Sequence, residues 1–257
     1  MSNHYHKTPG ATFYDRIAKK FGGYRGNAKH LDEFPDGNPE ATFKQHLVEL
    51  SGKDKTALDV GCADGRFTLS VADYFKRIVA IDISKGMLKA AKRSLQESGI
   101  TNVIFLEQDV HSLSDDNFAF DIVYCRRGPT DYLLFHSILK PNGFYLEIGI
   151  GEKDAQALKK VFGRGQNFGN WNESTLEKDK AILKALGFEF LYSRDFFYNE
   201  YYPSYEDIDL FLQGVPIFKD YDPVKDKGFL EAYTRQHSSD KGIQLERHRI
   251  VIVARKL

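Results

Sequence analysis

Charge of one sign is missing from this 257-residue chain: 36 Lys and Arg stand against 36 Asp and Glu. It lacks the basic excess of a dedicated nucleic-acid-binding domain, so contact with nucleic acid would need a local patch. Cysteine is almost absent, with Cys62 and Cys125 alone. Two thiols exclude a disulfide scaffold and a cysteine-built zinc site. They fit a reducing, cytoplasmic setting. No apolar run approaches the ~18 residues of a membrane span. The polar opening Met1–Lys7 has no apolar signal-peptide core. His4 and His6 fall in that opening, ahead of the breakers Pro9 and Gly10. They read as a loose terminus rather than a metal site, and no metal is expected elsewhere.

What is present is periodicity of two kinds. Phe13–Phe21 and Glu40–Leu50 carry apolar residues at helical spacing, each closed by glycine. From Lys55 the texture changes. Thr56–Val60, Ile78–Asp82, Val103–Leu106, Phe120–Cys125 and Phe144–Ile148 are short, nearly continuous apolar runs. Helical segments separate them: Phe67–Phe75, Lys85–Glu97 with Ser84 as its cap and Gly99 as its stop, and Tyr132–Leu139. Strands alternating with helices predict crossover units and a mostly parallel sheet covered on both faces. After Gly151 the pattern predicts a helix over Ser174–Leu186, strands over Phe188–Tyr198 and Ile243–Arg255, and a helical insert between them. The expected architecture is one α/β domain over 1–257, with a doubly wound, mostly parallel, seven-stranded sheet. Residues 1–52 would form an N-terminal helical lid, 53–150 the binding core, and 151–257 the last strands with a cap insert at about 199–240.

The densest local signal is Leu58-Asp59-Val60-Gly61-Cys62-Ala63-Asp64-Gly65-Arg66-Phe67, where the first core strand turns into a helix. Glycines there let a ligand approach the backbone closely. Asp82 ends the second core strand, at the offset where an acid meets ribose hydroxyls in nucleotide sites. Asp109 follows the third. Three acids thus fall at the carboxyl ends of consecutive strands, where open α/β sheets bind ligands. The Gly-x-Gly-x-x-Gly fingerprint of nicotinamide enzymes fails, because Ala63 and Arg66 occupy glycine positions. A P-loop lacks its Gly-Lys-Ser/Thr end.

Over roughly Lys55–Glu152 the sequence resembles the class I S-adenosylmethionine-dependent methyltransferase superfamily, whose first motif runs Asp-x-Gly-x-Gly-x-Gly. Here it is Asp59-Val60-Gly61-Cys62-Ala63-Asp64-Gly65. Alanine at the middle glycine keeps the close approach if its φ is negative. The turn Leu139-Lys140-Pro141-Asn142-Gly143-Phe144 also matches. The resemblance implies S-adenosylmethionine as cofactor. It places Asp59 near the methionine amino group, with Gly61 and Gly65 lining the cofactor. Asp82 would lie at the ribose, and Asp109 and Val110 at the adenine. Cys62, Ala63, Arg66, Ile83, Gln108 and Cys125 would complete that site.

For the chemistry, the segment Tyr124-Cys125-Arg126-Arg127-Gly128-Pro129 departs from the Asn/Asp-Pro-Pro-aromatic motif of amide and exocyclic-nitrogen methyltransferases. Cys125 lacks the neighbouring proline of pyrimidine-carbon enzymes and reads as a small strand-end residue. Candidate catalytic groups are His111 as a base, Arg126 or Arg127 facing an anionic substrate or the cofactor carboxylate, and Glu147. His248, between Arg247 and Arg249, reads as structural and faces away from both. Tyr14, Arg164, Trp171 and Gly214–Phe218 are candidate cap contacts. The aromatic run Phe196–Tyr205 reads first as core. The function expected is methyl transfer to a small-molecule acceptor. The alternatives are an RNA base methyltransferase, which would need a continuous basic surface, and a non-catalytic cofactor-binding partner subunit.

Overall fold

The computed structural model describes residues 10–24, 28–113 and 119–257. His4 and His6 lie outside them. The strands are β1 (Leu31–Glu33), β2 (Gly52–Val60), β3 (Phe75–Asp82), β4 (Val103–Glu107), β5 (Phe120–Arg126), β6 (Leu139–Ile150), β7 (Phe188–Tyr202), β8 (Ser238–Ser239) and β9 (Gly242–Lys256). The helices are α1 (Ala11–Phe21), α2 (Pro39–Leu50), α3 (Arg66–Val71), α4 (Lys85–Ser98), α5 (Tyr132–Ile138), α6 (Gln156–Phe162), α7 (Thr175–Ala185), α8 (Tyr205–Gly214) and α9 (Lys227–His237).

The sheet runs β1-β7-β9-β6-β5-β2-β3-β4, with β8 on β9. The β4-β3-β2-β5-β6 stretch is parallel, and β9 enters antiparallel between β6 and β7. Seven strands are expected from the apolar runs, and the described residues form nine. The two additions, β1 and β8, are exposed two- or three-residue segments that carry no buried periodicity to read. β7 also runs four residues past Tyr198, so the insert starts after Tyr202 rather than near 199. Phe75 opens β3 instead of closing the preceding helix, because α3 ends at Val71 and a 3₁₀ turn follows.

Alternate strand residues feed two cores. Ala57, Ile78, Ala80, Ile122, Leu146 and Val251 pack with Phe43 and Leu47 of α2 on one face. Leu58, Val79, Ile81, Val123 and Ile252 pack with Phe135 of α5 and Leu183 of α7 on the other. Burial on both faces explains the continuous apolar strands. Two smaller clusters hold the site's covers. Phe13, Ile17 and Ala18 of α1 meet Met87 of α4. The insert packs Ile208, Leu212, Leu230 and Tyr233 on Tyr202, Ile243 and Leu245, the far ends of β7 and β9. Ser84 caps α4 by accepting from the Met87 N–H. Asp15 of α1 binds the same helix start, accepting from Ser84 Oγ at 2.7 Å and the Gly86 N–H at 2.8 Å.

Candidate functional site

A cavity of about 580 Å3 opens at the carboxyl ends of β2, β3 and β5, a size typical of small-ligand sites. Asp59, Gly61, Cys62, Ala63, Arg66, Asp82, Ile83, Gln108 and Val110 line it. Each comes from a strand end or the turn after it. Gly61 takes φ +74°. A Cβ there would stand 3.3 Å from both Gly128 Cα and Pro129 Cδ. The β2 and β5 turns therefore pack closely, with no room for a side chain at Gly61. Asp82 accepts from the Ala63 N–H at 2.9 Å and the Ser84 N–H at 2.8 Å. Burial pushes its pKa above the usual carboxylate value, and these N–H groups oppose the rise. Asp59 accepts from Thr68 Oγ1 at 2.6 Å, and burial pushes its carboxyl up to about 6. A cation placed beside it would draw it back to the ionised form.

Five sequence candidates lie elsewhere. Gly65, at φ +71°, does not line the cavity; its missing Cβ makes room for Phe105 and Ala91. Asp109 instead caps the turn after β4, accepting from the His111 N–H. Cys125 is wholly buried, with Sγ 3.5 Å from the Pro129 carbonyl. His111 is exposed and sits 3.3 Å from Asp131, outside the cavity wall. Glu147 is buried inside β6, where it accepts from Tyr132 Oη at 3.0 Å and Tyr145 Oη at 2.8 Å. It is a satisfied core carboxylate. Ala63 also departs from expectation, with φ +48° rather than negative. The left-handed region costs a non-glycine residue roughly 1–2 kcal/mol, partly offset by a stiffer unfolded chain. Ala63→Gly should therefore raise stability by up to about 1 kcal/mol, read as a later urea midpoint at unchanged slope.

Arg126 and Arg127 line the cavity but are not free. Both bind Glu40 at the start of α2, Arg126 through Nη2 to Oε2 at 2.6 Å. Burial acts to raise Glu40; the two guanidiniums overcome it and pull the carboxyl down to about 2. Glu40 carries no motif and escapes a sequence reading. Two cations on one carboxylate leave one positive charge facing the cavity.

Beyond them lies a second chamber of about 300 Å3. Tyr14, Tyr24, His30, Arg127, Phe211 and Val215 line both spaces and form a doorway. α1 and the end of α8 thus roof the site, as does the bend at Val215–Ile217. Arg164 and Trp171 line neither space: Arg164 pairs with Asp220 and Asp226, and Trp171 meets Phe168 edge-on. Gln166, from the same glycine-rich loop, does line the chamber. So does Tyr198 of the aromatic run, while Phe196 is core. Sequence reading missed His30 as well. β1 pairs with β7, Leu31 opposite Tyr201, which sets His30 against Tyr202, ring centroids 5.4 Å apart. Its Nε2 is 3.4 Å from Asp32 Oδ1. Donor atoms of His30, Asp32 and Glu200 fall within 4.8 Å of one another. Arg247 already occupies both Glu200 oxygens, so the cluster is an ionic one.

Residues 57–143, which hold the glycine turn, Asp82 and the β5 turn, match the family model described as a methyltransferase domain. Over this segment the chain is similar to class I S-adenosylmethionine-dependent methyltransferases. Among curated relatives, a demethylmenaquinone methyltransferase of Lactococcus lactis is 29% identical over 145 residues, 49% of this chain and 57% of the relative. A tRNA/tmRNA (uracil-C(5))-methyltransferase of Nitratiruptor is 32% identical over 78 residues, 28% of this chain and 21% of that one. The chain thus spans little more than half of the first relative and a fifth of the second. A functionally unknown protein from Deinococcus radiodurans R1 has the same fold at TM-score 0.66 and 20% identity, covering 95% of this chain and 99% of that one. Among the described residues no helix is long and apolar enough to cross a membrane.

Proposed function

We propose that the chain transfers a methyl group from S-adenosylmethionine to a small molecule held in the second chamber. The observation that carries this reading is the doorway: a cavity of cofactor size and a smaller adjoining chamber share six wall residues. The larger cavity fits the cofactor on its own features. Asp82 would take the ribose hydroxyls, with Ile83 and Val110 as apolar walls for the adenine. Asp59 would take the ammonium, and the unbalanced charge of Arg126 and Arg127 the carboxylate. The bound cofactor supplies an electrophilic methyl on a sulfonium. The protein's work is alignment and exclusion of water, which falls to the roof of α1 and α8. His30 is the group at the doorway able to take a proton from a hydroxyl or amine nucleophile, with Asp32 orienting it. Burial raises Tyr14 and Tyr24, which therefore stay protonated as hydrogen-bond donors.

A small acceptor is favoured over RNA by the small volume of the chamber and the balanced charge. The menaquinone relative supports it by analogy, and the uracil relative is the counter-example. The unit doing this is taken as the whole of 1–257, with residues 1–52 as its lid.

Calorimetric titration with S-adenosylmethionine and S-adenosylhomocysteine tests the reading. Asp82→Ala should weaken both by about 10-fold, the worth of one charge-assisted hydrogen bond. No binding to the wild type would overturn the proposal. RNA binding that weakens steeply with salt would replace the acceptor class.

A further inference from the structure

The inner wall of the chamber holds more buried cation than its carboxylates balance. Asp154 follows β6 and is 2% exposed. Its Oδ1 accepts from Arg247 Nε at 2.9 Å, Arg249 Nη1 at 2.5 Å and the His248 N–H at 3.1 Å. Glu200 accepts from Arg247 Nη1 at 2.7 and 2.8 Å and from Tyr202 Oη at 2.6 Å. Lys159, 2% exposed, lies beside the same Asp154: burial lowers its pKa, and the Asp154 carboxylate opposes the fall. Two buried carboxylates therefore serve three buried cations. Arg249 is the one left short. It is 3% exposed, shares Asp154 with Arg247, gives Nη1 also to the His248 carbonyl, and its Nε has no partner. An unpaired buried charged donor is costly. The other two acids that line the chamber are less buried and have partners of their own: Asp32 lies beside His30 at the exposed rim, and Glu40 is held by Arg126 and Arg127.

The His248 side chain plays no part in this. Its Nε2 is 2.8 Å from Asp195, and its ring stacks on Phe197 across the sheet. Arg247 and Arg249 project from β9 toward the opposite side, where both line the chamber. The rest of that lining is largely aromatic and apolar: Phe34, Tyr198, Phe211, Pro216 and Ile217.

We propose that the chamber selects acceptors bearing a carboxylate, held by Arg249, with an apolar or aromatic body reaching back to the doorway. A single negative charge restores the balance at Asp154 and Glu200; the dianion of a phosphate monoester would overshoot it. The proposal rests on the methyltransferase reading for what happens at the doorway, and on the chamber alone for the anion.

The test is a set of titrations with benzoate, phenylacetate and hexanoate, each beside its uncharged amide, and with phenyl phosphate. They are run on the whole chain with and without S-adenosylhomocysteine. Each acid should bind about 10-fold tighter than its amide, and tighter than phenyl phosphate. Arg249→Met should bring the acid-to-amide ratio to about one with S-adenosylhomocysteine affinity unchanged, and Arg249→Lys should keep part of it. Amides binding as well as acids to a protein that binds S-adenosylhomocysteine overturn the proposal and leave the cofactor reading standing. Acid selectivity without S-adenosylhomocysteine binding does the reverse. Phenyl phosphate binding as tightly as benzoate, or selectivity surviving in Arg249→Met, also overturns it. The wild-type comparison decides the matter even if Arg249→Met fails to fold.

Discussion

Replacing His30 with alanine is expected to lower kcat by about 100-fold or more while leaving S-adenosylhomocysteine affinity unchanged. The size follows from the usual worth of a positioned base in proton transfer. The selectivity follows from place. His30 stands at the doorway on the segment leading into β1, not among the strand-end residues that line the larger cavity alone. It is also held: Asp32 lies behind it, and Glu33, bonded to Tyr201 and Lys241, pins the strand that carries it. The measurement is the rate of S-adenosylhomocysteine release with an accepted substrate, with and without added imidazole. Partial rescue by imidazole would mark a missing base, since a merely structural gap has no proton to hand over. An unchanged kcat would remove His30 from the chemistry. It would mean that the nucleophile arrives already deprotonated.

The second large effect concerns folding. Gly65→Val should destabilise the protein by about 3 kcal/mol or more, lowering its melting temperature by roughly 6–12 °C. Two penalties add. The backbone sits at φ +71°, where a β-branched residue is strained. The new Cβ would also stand 2.5 Å from Phe105 Cζ and 2.9 Å from Ala91 Cβ. Neither neighbour is a flexible chain end; one is a core ring on β4 and the other a core methyl on α4. Differential scanning calorimetry reads the shift. A variant that melts with the wild type but no longer binds S-adenosylhomocysteine would return Gly65 to the ligand wall.

The two fates of the motif glycines show what sequence spacing carries. Strand, turn and helix were legible because apolar runs of fixed length alternate with helical periods, and this places Gly61 and Asp82 at strand ends without any long-range information. The same spacing cannot say which side of a turn meets ligand and which meets protein. Gly61 and Gly65 are equivalent in sequence and opposite in space. Glu40, His30 and Asp154 were illegible for a different reason. Each gains its partners from chain far away: Glu40 from Arg126 and Arg127, His30 through β1 on β7, and Asp154 from Arg247 and Arg249. None stands in a patterned segment. Alternation along the last strand did separate His248 from its neighbouring arginines, since a two-residue period is a local property. The charge imbalance that gives those arginines their interest is not local. His111 and Glu147 failed as site candidates because a suitable side chain near a strand end is common, and core tyrosines or a loop acid can satisfy it equally well.

Past the Ile150–Arg249 pair, β9 has left β6 behind and continues with β7 and the short β8 as its partners. Tyr198, Glu200 and Arg247 stand on this outlying arm, locked in register residue against residue, with Arg249 at its root. A slip of one position would turn all of them to the other face at once. The floor of the chamber therefore cannot drift by insertion or deletion. The roof, built from a helix end and the bend at Val215–Ile217, has no such constraint. Divergence within this lineage, and any redesign for a new acceptor, should appear as changes of length in the roof and as point substitutions alone in the floor.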